Sequence, residues 1–132
     1  MAVLDLYPGL EVEILVDDIP TREYIYISDT IPPPCHVTKY IVARTDARFA
    51  IRYTISRDFS LLAGELLASV YCDGNYVESY IARPEDIYCK TGHIITPPDT
   101  TVDGVLRKQV FKFGASQNGM CGAFKIFARL NR

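Results

Sequence analysis

Apolar and polar residues alternate along much of the chain, and the period of that alternation is two. From Leu10 to Val16, Glu11 and Glu13 interleave with Val12, Ile14 and Val16, the pattern of a half-buried strand with its acids toward water. The cleanest case runs from Arg48 to Ser56. There Phe49, Ile51, Tyr53 and Ile55 share one face, and Ala50, Arg52 and Thr54 the other, so this segment is expected to be a core strand. Further strands are expected at 23–28, 36–43, 66–72, 76–81, 93–96, 106–113 and 124–130. Asp73-Gly74-Asn75 lies between two of them, and Asp-Gly between alternating apolar runs is a strong hairpin signal. Brief helical turns fit only at 57–65 and at Arg83-Pro84-Glu85-Asp86, where a proline and acids open the segment.

The punctuation between these segments is equally specific. Pro20 marks a turn after Asp17-Asp18, and Pro32 to Pro34 cannot donate ladder hydrogen bonds, so they form a stiff connection or a sheet edge. Residues 97–104, opened by Pro97-Pro98, read as a polar loop. The sum is an all-β fold: a single-domain antiparallel β-sandwich of about eight or nine short strands over residues 1–132, with at most one short helical turn.

Composition changes this picture little. A chain of 132 residues with 48% apolar and 23% charged content has the make-up of one globular domain with its own core. No apolar run approaches the ~20 residues of a membrane-spanning helix. Asp5 and Pro8 interrupt the apolar stretch a signal peptide would need, so an intracellular site, cytoplasmic or nuclear, is expected. In that setting Cys35, Cys72, Cys89 and Cys121 read as reduced thiols rather than disulfides.

Charge is uneven although the net is only −2. Residues 1–30 carry seven acids against Arg22 alone, whereas residues 105–132 carry six bases and no acid. First and last strands lying near each other would offset these charges. The alternative is a basic face of Lys108, Lys112, Lys125 and Arg129 for nucleic acid, the less favoured reading because the overall charge is negative.

Several phrases bear a family resemblance. LDLYPGLEVEILVDD at 4–18, VTKYI at 37–41 with RFAI at 48–51, SVYCDGNYV at 69–77 and KQVFKF at 108–113 resemble the N-terminal module of a group of fungal proteins catalogued as a domain of unknown function. Cys72 stands where that family usually has a β-branched residue. Its longer members continue into charged C-terminal segments, so this chain would be a short member or a fragment holding the folded domain. The resemblance implies a fungal intracellular β-sandwich and no reaction.

Candidate chemistry is sparse. Cys35, His36, Cys89 and His93 supply the donor types of a zinc site, but adjacent strand residues point to opposite faces and no C-x₂-C knuckle is present. Ser60, His93 and Asp99 are a triad only by composition, without a G-x-S-x-G elbow. Cys121 beside Lys125 is a candidate reactive thiol, and a structural cysteine is the plainer reading. Gly114, Gly119 and Gly122 lack the Gly-Lys-Ser/Thr ending of a phosphate loop. The acids Asp17, Asp18, Glu85, Asp86, Asp99 and Asp103 have no EF-hand spacing. No cofactor and no catalysis are therefore expected. The favoured function is a protein-interaction module using exposed aromatics (Tyr24, Tyr26, Tyr80) and sheet edges, with self-association as its simplest form. A sandwich with a small-ligand or enzymatic pocket between sheets or at a loop end, with His36 or His93 among its polar groups, is the alternative.

Overall fold

The computed structural model describes residues 1–4, 7–25, 27, 29–31, 37–56, 59, 66–82, 92–115 and 123–126. They form an all-β, antiparallel sandwich of thirteen strands: β1 (Ala2–Leu4), β2 (Tyr7–Val16), β3 (Ile19–Pro20), β4 (Glu23–Ile25), β5 (Val37–Ile41), β6 (Arg48–Ile55), β7 (Leu66–Cys72), β8 (Asn75–Ala82), β9 (His93–Ile95), β10 (Thr100–Val102), β11 (Val105–Arg107), β12 (Phe111–Lys112) and β13 (Ala123–Ile126). No helix occurs among the described residues, and none is long and apolar enough to cross a membrane. The helical turns expected at 57–65 and 83–86 lie outside the described residues, apart from Phe59.

Strand β6 organises the fold. One of its edges pairs with β2 over seven residues, from Leu10↔Ile55 to Val16↔Phe49. Its other edge is shared by β9 (Ile51↔Ile95) and β12 (Phe49↔Phe111). Its burial alternates as its sequence does, with Phe49, Ile51, Tyr53 and Ile55 all inside. The second layer holds β13-β5-β4 and the β7–β8 hairpin. Ile41 of β5 and Leu66 and Val70 of β7 meet Ile14, Ile51 and Ile95 in one hydrophobic core, and this apolar burial is the main stabilising term.

Strand β2 departs from strict alternation. Leu15 is buried on the face assigned to water. Glu13 is also half-covered, because it lies directly opposite Arg52 and accepts from its guanidinium at 2.6 Å. A cross-strand ion pair lets the acid sit low on the sheet rather than stretch into solvent. The first and last strands are not neighbours: β6 lies between β2 and β12, and β5 holds β13. The offset of their charges expected from adjacency is therefore not made by direct pairing.

Two-residue turns add β3 and β10 to the nine strands expected, and β1 with the division of 106–113 into β11 and β12 brings the number to thirteen. Val16↔Ile19, Cys72↔Asn75 and Val102↔Val105 close around Asp17-Asp18, Asp73-Gly74 and Asp103-Gly104. In each loop both central residues have positive φ, between 50° and 79°, which is the type I′ geometry that matches strand twist. Asp tolerates that region and Gly enters it freely. Residues 97–104 are thus no simple loop: 100–102 form a strand that pairs back on 105–107. The strand expected over 106–113 is split into β11 and β12.

Candidate interaction surface

The β10–β11 hairpin is an arm. Residues 101–110 are all exposed, and neither strand comes within 8 Å, Cα to Cα, of any other described strand. Val105 and Leu106 are 58% and 68% exposed, beside Val102 and Val110. A lone two-stranded hairpin is marginal in water, so this one draws its order from its turn and from its root.

The root is built firmly. Its outgoing leg leaves from Ile95, buried and paired with Ile51, and Thr96 then accepts a hydrogen bond from the Tyr80 hydroxyl at 2.9 Å through its backbone carbonyl. The returning leg ends at Phe111 and Phe113, whose rings both stack on Phe49 with centroids 5.0 and 4.6 Å away. Both legs therefore insert into the core at one edge of β6, and the residues between them have nowhere to go but outward. At this junction lies a groove of about 370 Å³, lined by Asp17, Arg48, Phe49, Ile94, Val110 and Phe111 among others. One of its polar groups is already engaged: Asp17 accepts from the Arg44 guanidinium at 2.6 Å and from the Arg48 backbone N–H at 3.3 Å.

The residues singled out in the sequence are scattered. Tyr24 sits exposed on β4 with the Arg22 guanidinium over its ring at 5.2 Å. Tyr80 instead packs half-buried against the core and secures the root of the arm. Burial, with help from Glu78, pushes its phenol above the usual value, and the bond to Thr96 opposes that shift. Tyr26 lies outside the described residues.

Lys108 and Lys112 are exposed, at the root of the arm and on β12. Lys112 pairs in register with Arg48, so two like charges face each other there. Arg129 and the side chain of Lys125 lie outside the described residues.

His93 is half-buried and stacks on Tyr53, centroids 5.0 Å apart. Cys35, His36 and Cys89, its proposed companions around zinc, lie outside the described residues, as do Ser60, Glu85, Asp86 and Cys121. Among the described residues no three His, Cys, Asp or Glu side chains converge as a metal cluster. Cys72 is a free thiol whose pKa is raised by burial and then by Asp73, the opposite of an activated nucleophile.

Sequence reasoning passed over the arm. The signal was present in Thr100-Thr101-Val102-Asp103-Gly104-Val105-Leu106, where β-branched residues flank Asp-Gly. Pro97-Pro98 and the polar residues beside them masked it.

No curated protein and no solved structure matches the chain at a significant level. One family profile does, described as a domain of unknown function (DUF7918), and it matches residues 9–117. That span takes in most of β2, all of β3 to β12 and the whole arm. Because the match extends over most of the chain, the protein belongs to the DUF7918 family.

Proposed function

We propose that this domain is a non-catalytic protein-interaction module that presents the β10–β11 arm to a protein partner. The observation that carries this reading is the arm itself: apolar side chains held exposed on a ribbon to which no other described strand pairs, on a root anchored in the core. Proteins ordinarily shield such edges, and partners use them by adding a strand. The free thiol of Cys72 and the resemblance to fungal proteins support a fungal, intracellular setting.

The test is affinity purification from native extract with the wild-type domain and a Val105→Ser/Leu106→Ser variant. A stoichiometric protein retained by the wild type and lost from the variant supports the reading. Equal retention by both would remove the arm from the function. The alternative of a small-ligand site rests on the volume of the groove at the root, which is within the range of small-molecule pockets. It expects native mass spectrometry to show a bound metabolite. Nucleic-acid binding through the basic C-terminal strands (Lys108, Lys112, Lys125 and Arg129) would show itself as steep loss of affinity with salt.

A further inference from the structure

We infer that the partner of the arm is a second copy of this chain, joined edge to edge through β11 about a two-fold axis at Leu106. The inference rests on the interaction-module reading and adds its partner and register.

The hydrogen-bonding pattern comes first. Asp103-Gly104 forms a two-residue type I′ turn, so the flanking pair Val102–Val105 bonds across the hairpin. Antiparallel ladders alternate, so Thr101 and Leu106, opposite each other, direct their backbone N–H and C=O groups outward. Each edge of the arm thus offers one donor and one acceptor at its centre, Thr101 on β10 and Leu106 on β11. A two-fold axis normal to the sheet brings a residue opposite its own copy, and these are the two residues able to exchange both bonds with themselves.

Charge then chooses between the edges. Pairing β10 about Thr101 would place Asp99 opposite Asp103 of the other copy, like charges face to face, and Pro97 and Pro98 could donate nothing to extend the ladder. Pairing β11 about Leu106 places Val105 opposite Arg107, Gly104 opposite Lys108 and Asp103 opposite Gln109. No like charges oppose one another. The acidic tip of each arm instead meets the basic stretch Arg107-Lys108 at the root of the other. Leu106 meets Leu106 on one face, flanked by Thr101 from each copy. On the other face Val102 and Val105 run on toward Arg107 of the second copy. The product is a four-stranded sheet, β10-β11-β11-β10, closed by symmetry.

An interface of one short edge falls below the standard size of about 1,200–2,000 Å², so the dimer is expected to be weak and concentration-dependent. Sedimentation velocity on the full chain from about 1 to about 500 μM reads this directly. Wild type is expected to pass from monomer to dimer and no further. Leu106→Pro deletes the outward N–H without touching a bond inside the hairpin, and is expected to weaken dimerisation at least ~10-fold. Thr101→Pro makes the same change on the other edge and is expected to leave it intact. Leu106→Asp, which keeps the backbone donor but opposes two carboxylates, is expected to weaken the dimer at low salt, and a circular-dichroism melt confirms that each variant is folded.

A dimer equally stable in Leu106→Pro and wild type, or one lost in Thr101→Pro alone, would overturn the register. Assembly beyond a dimer would overturn the closed symmetry. A monomer at every concentration would overturn the self-partner while leaving the interaction module standing if Val105→Ser/Leu106→Ser still lost a retained protein. A monomer whose retained proteins ignore the arm would sink both readings.

Discussion

Gly92 offers the sharpest quantitative test of the sandwich, because its backbone conformation and its surroundings both forbid a side chain. It immediately precedes β9, with φ of +74°. A Cβ there would sit 2.6 Å from Thr54 Oγ1 and 2.9 Å from the Tyr53 carbonyl oxygen. A threonine hydroxyl can rotate away. The carbonyl belongs to β6 and cannot move without loosening the central strand. Gly92→Ala therefore adds a left-handed penalty of about 1–2 kcal/mol to an overpacking cost of about 1–3 kcal/mol.

Gly74 isolates the first term. Its φ is +79° and nothing lies within 4 Å of its missing Cβ, so Gly74→Ala is expected to cost only about 1–2 kcal/mol. Urea unfolding of both variants, compared at constant m-value, measures the difference. Gly9 (φ +97°) falls between them. Its Cβ would run into Ser56 Oγ, a hydroxyl that can swing aside, and lie 3.4 Å from the buried Phe59 Cβ. The expected order of loss is Gly92 > Gly9 > Gly74. Equal losses at Gly92 and Gly74, within about 0.5 kcal/mol, would refute the claim that β6 blocks the site.

Three further outcomes are expected. Leu66, 2% exposed at the start of β7, is expected to cost about 2–5 kcal/mol on replacement by Ala, read from the urea midpoint. The Glu13–Arg52 pair is only partly covered, so a double-mutant cycle is expected to give a coupling of about 0.5–1 kcal/mol, and one that shrinks with added salt. A coupling unchanged by salt would mean that the pair is held by packing rather than charge.

Alkaline pH supplies the last. The folded state holds the Tyr80 proton more tightly than the unfolded chain, since burial and then Glu78 raise its pKa above the usual 10.0 despite the bond to Thr96. That contribution is whole below about pH 10 and is lost as pH climbs through the folded value. Tyr80→Phe is expected to flatten part of this decline, which melts recorded between neutral and alkaline pH would show.

Legibility followed the strength of local alternation. Strand β6 could be read residue by residue because one face meets the core and the other is partly covered. The Asp73-Gly74 hairpin was equally open, since its turn residues have few other uses. Leu15 was misjudged because a period-two reading assigns one face to water, whereas both faces of a central strand can be covered. The arm escaped for the converse reason. Threonines on a ribbon with no core to face show no amphipathic pattern, so only the Asp103-Gly104 turn chemistry could have revealed it. The groove lay further out of reach: it arises where β9 and β12 share one edge of β6, and no spacing along the chain encodes that meeting. Tyr80 was singled out as an exposed aromatic, while its hydrogen bond to a carbonyl sixteen residues away is set by topology.

The position of β6 also governs how this chain can fold in time. The hairpin around Asp73-Gly74 and the arm around Asp103-Gly104 close over two-residue loops and can form within about 1–10 μs. Strand β6 has no such shortcut. Its partner across the Glu13–Arg52 rung is 39 residues away, and the strands on its other edge arrive later still in the chain. Entropy lost in closing those long loops must be spent before the core returns anything, the circumstance that places all-β domains in the millisecond-to-second range. The arm is therefore expected to close transiently before its root is in place, and to become a lasting ribbon only once that root is seated in the core. During that interval its open edges are on offer to any neighbouring chain, and crowding at synthesis or refolding would select for partners of the same sequence.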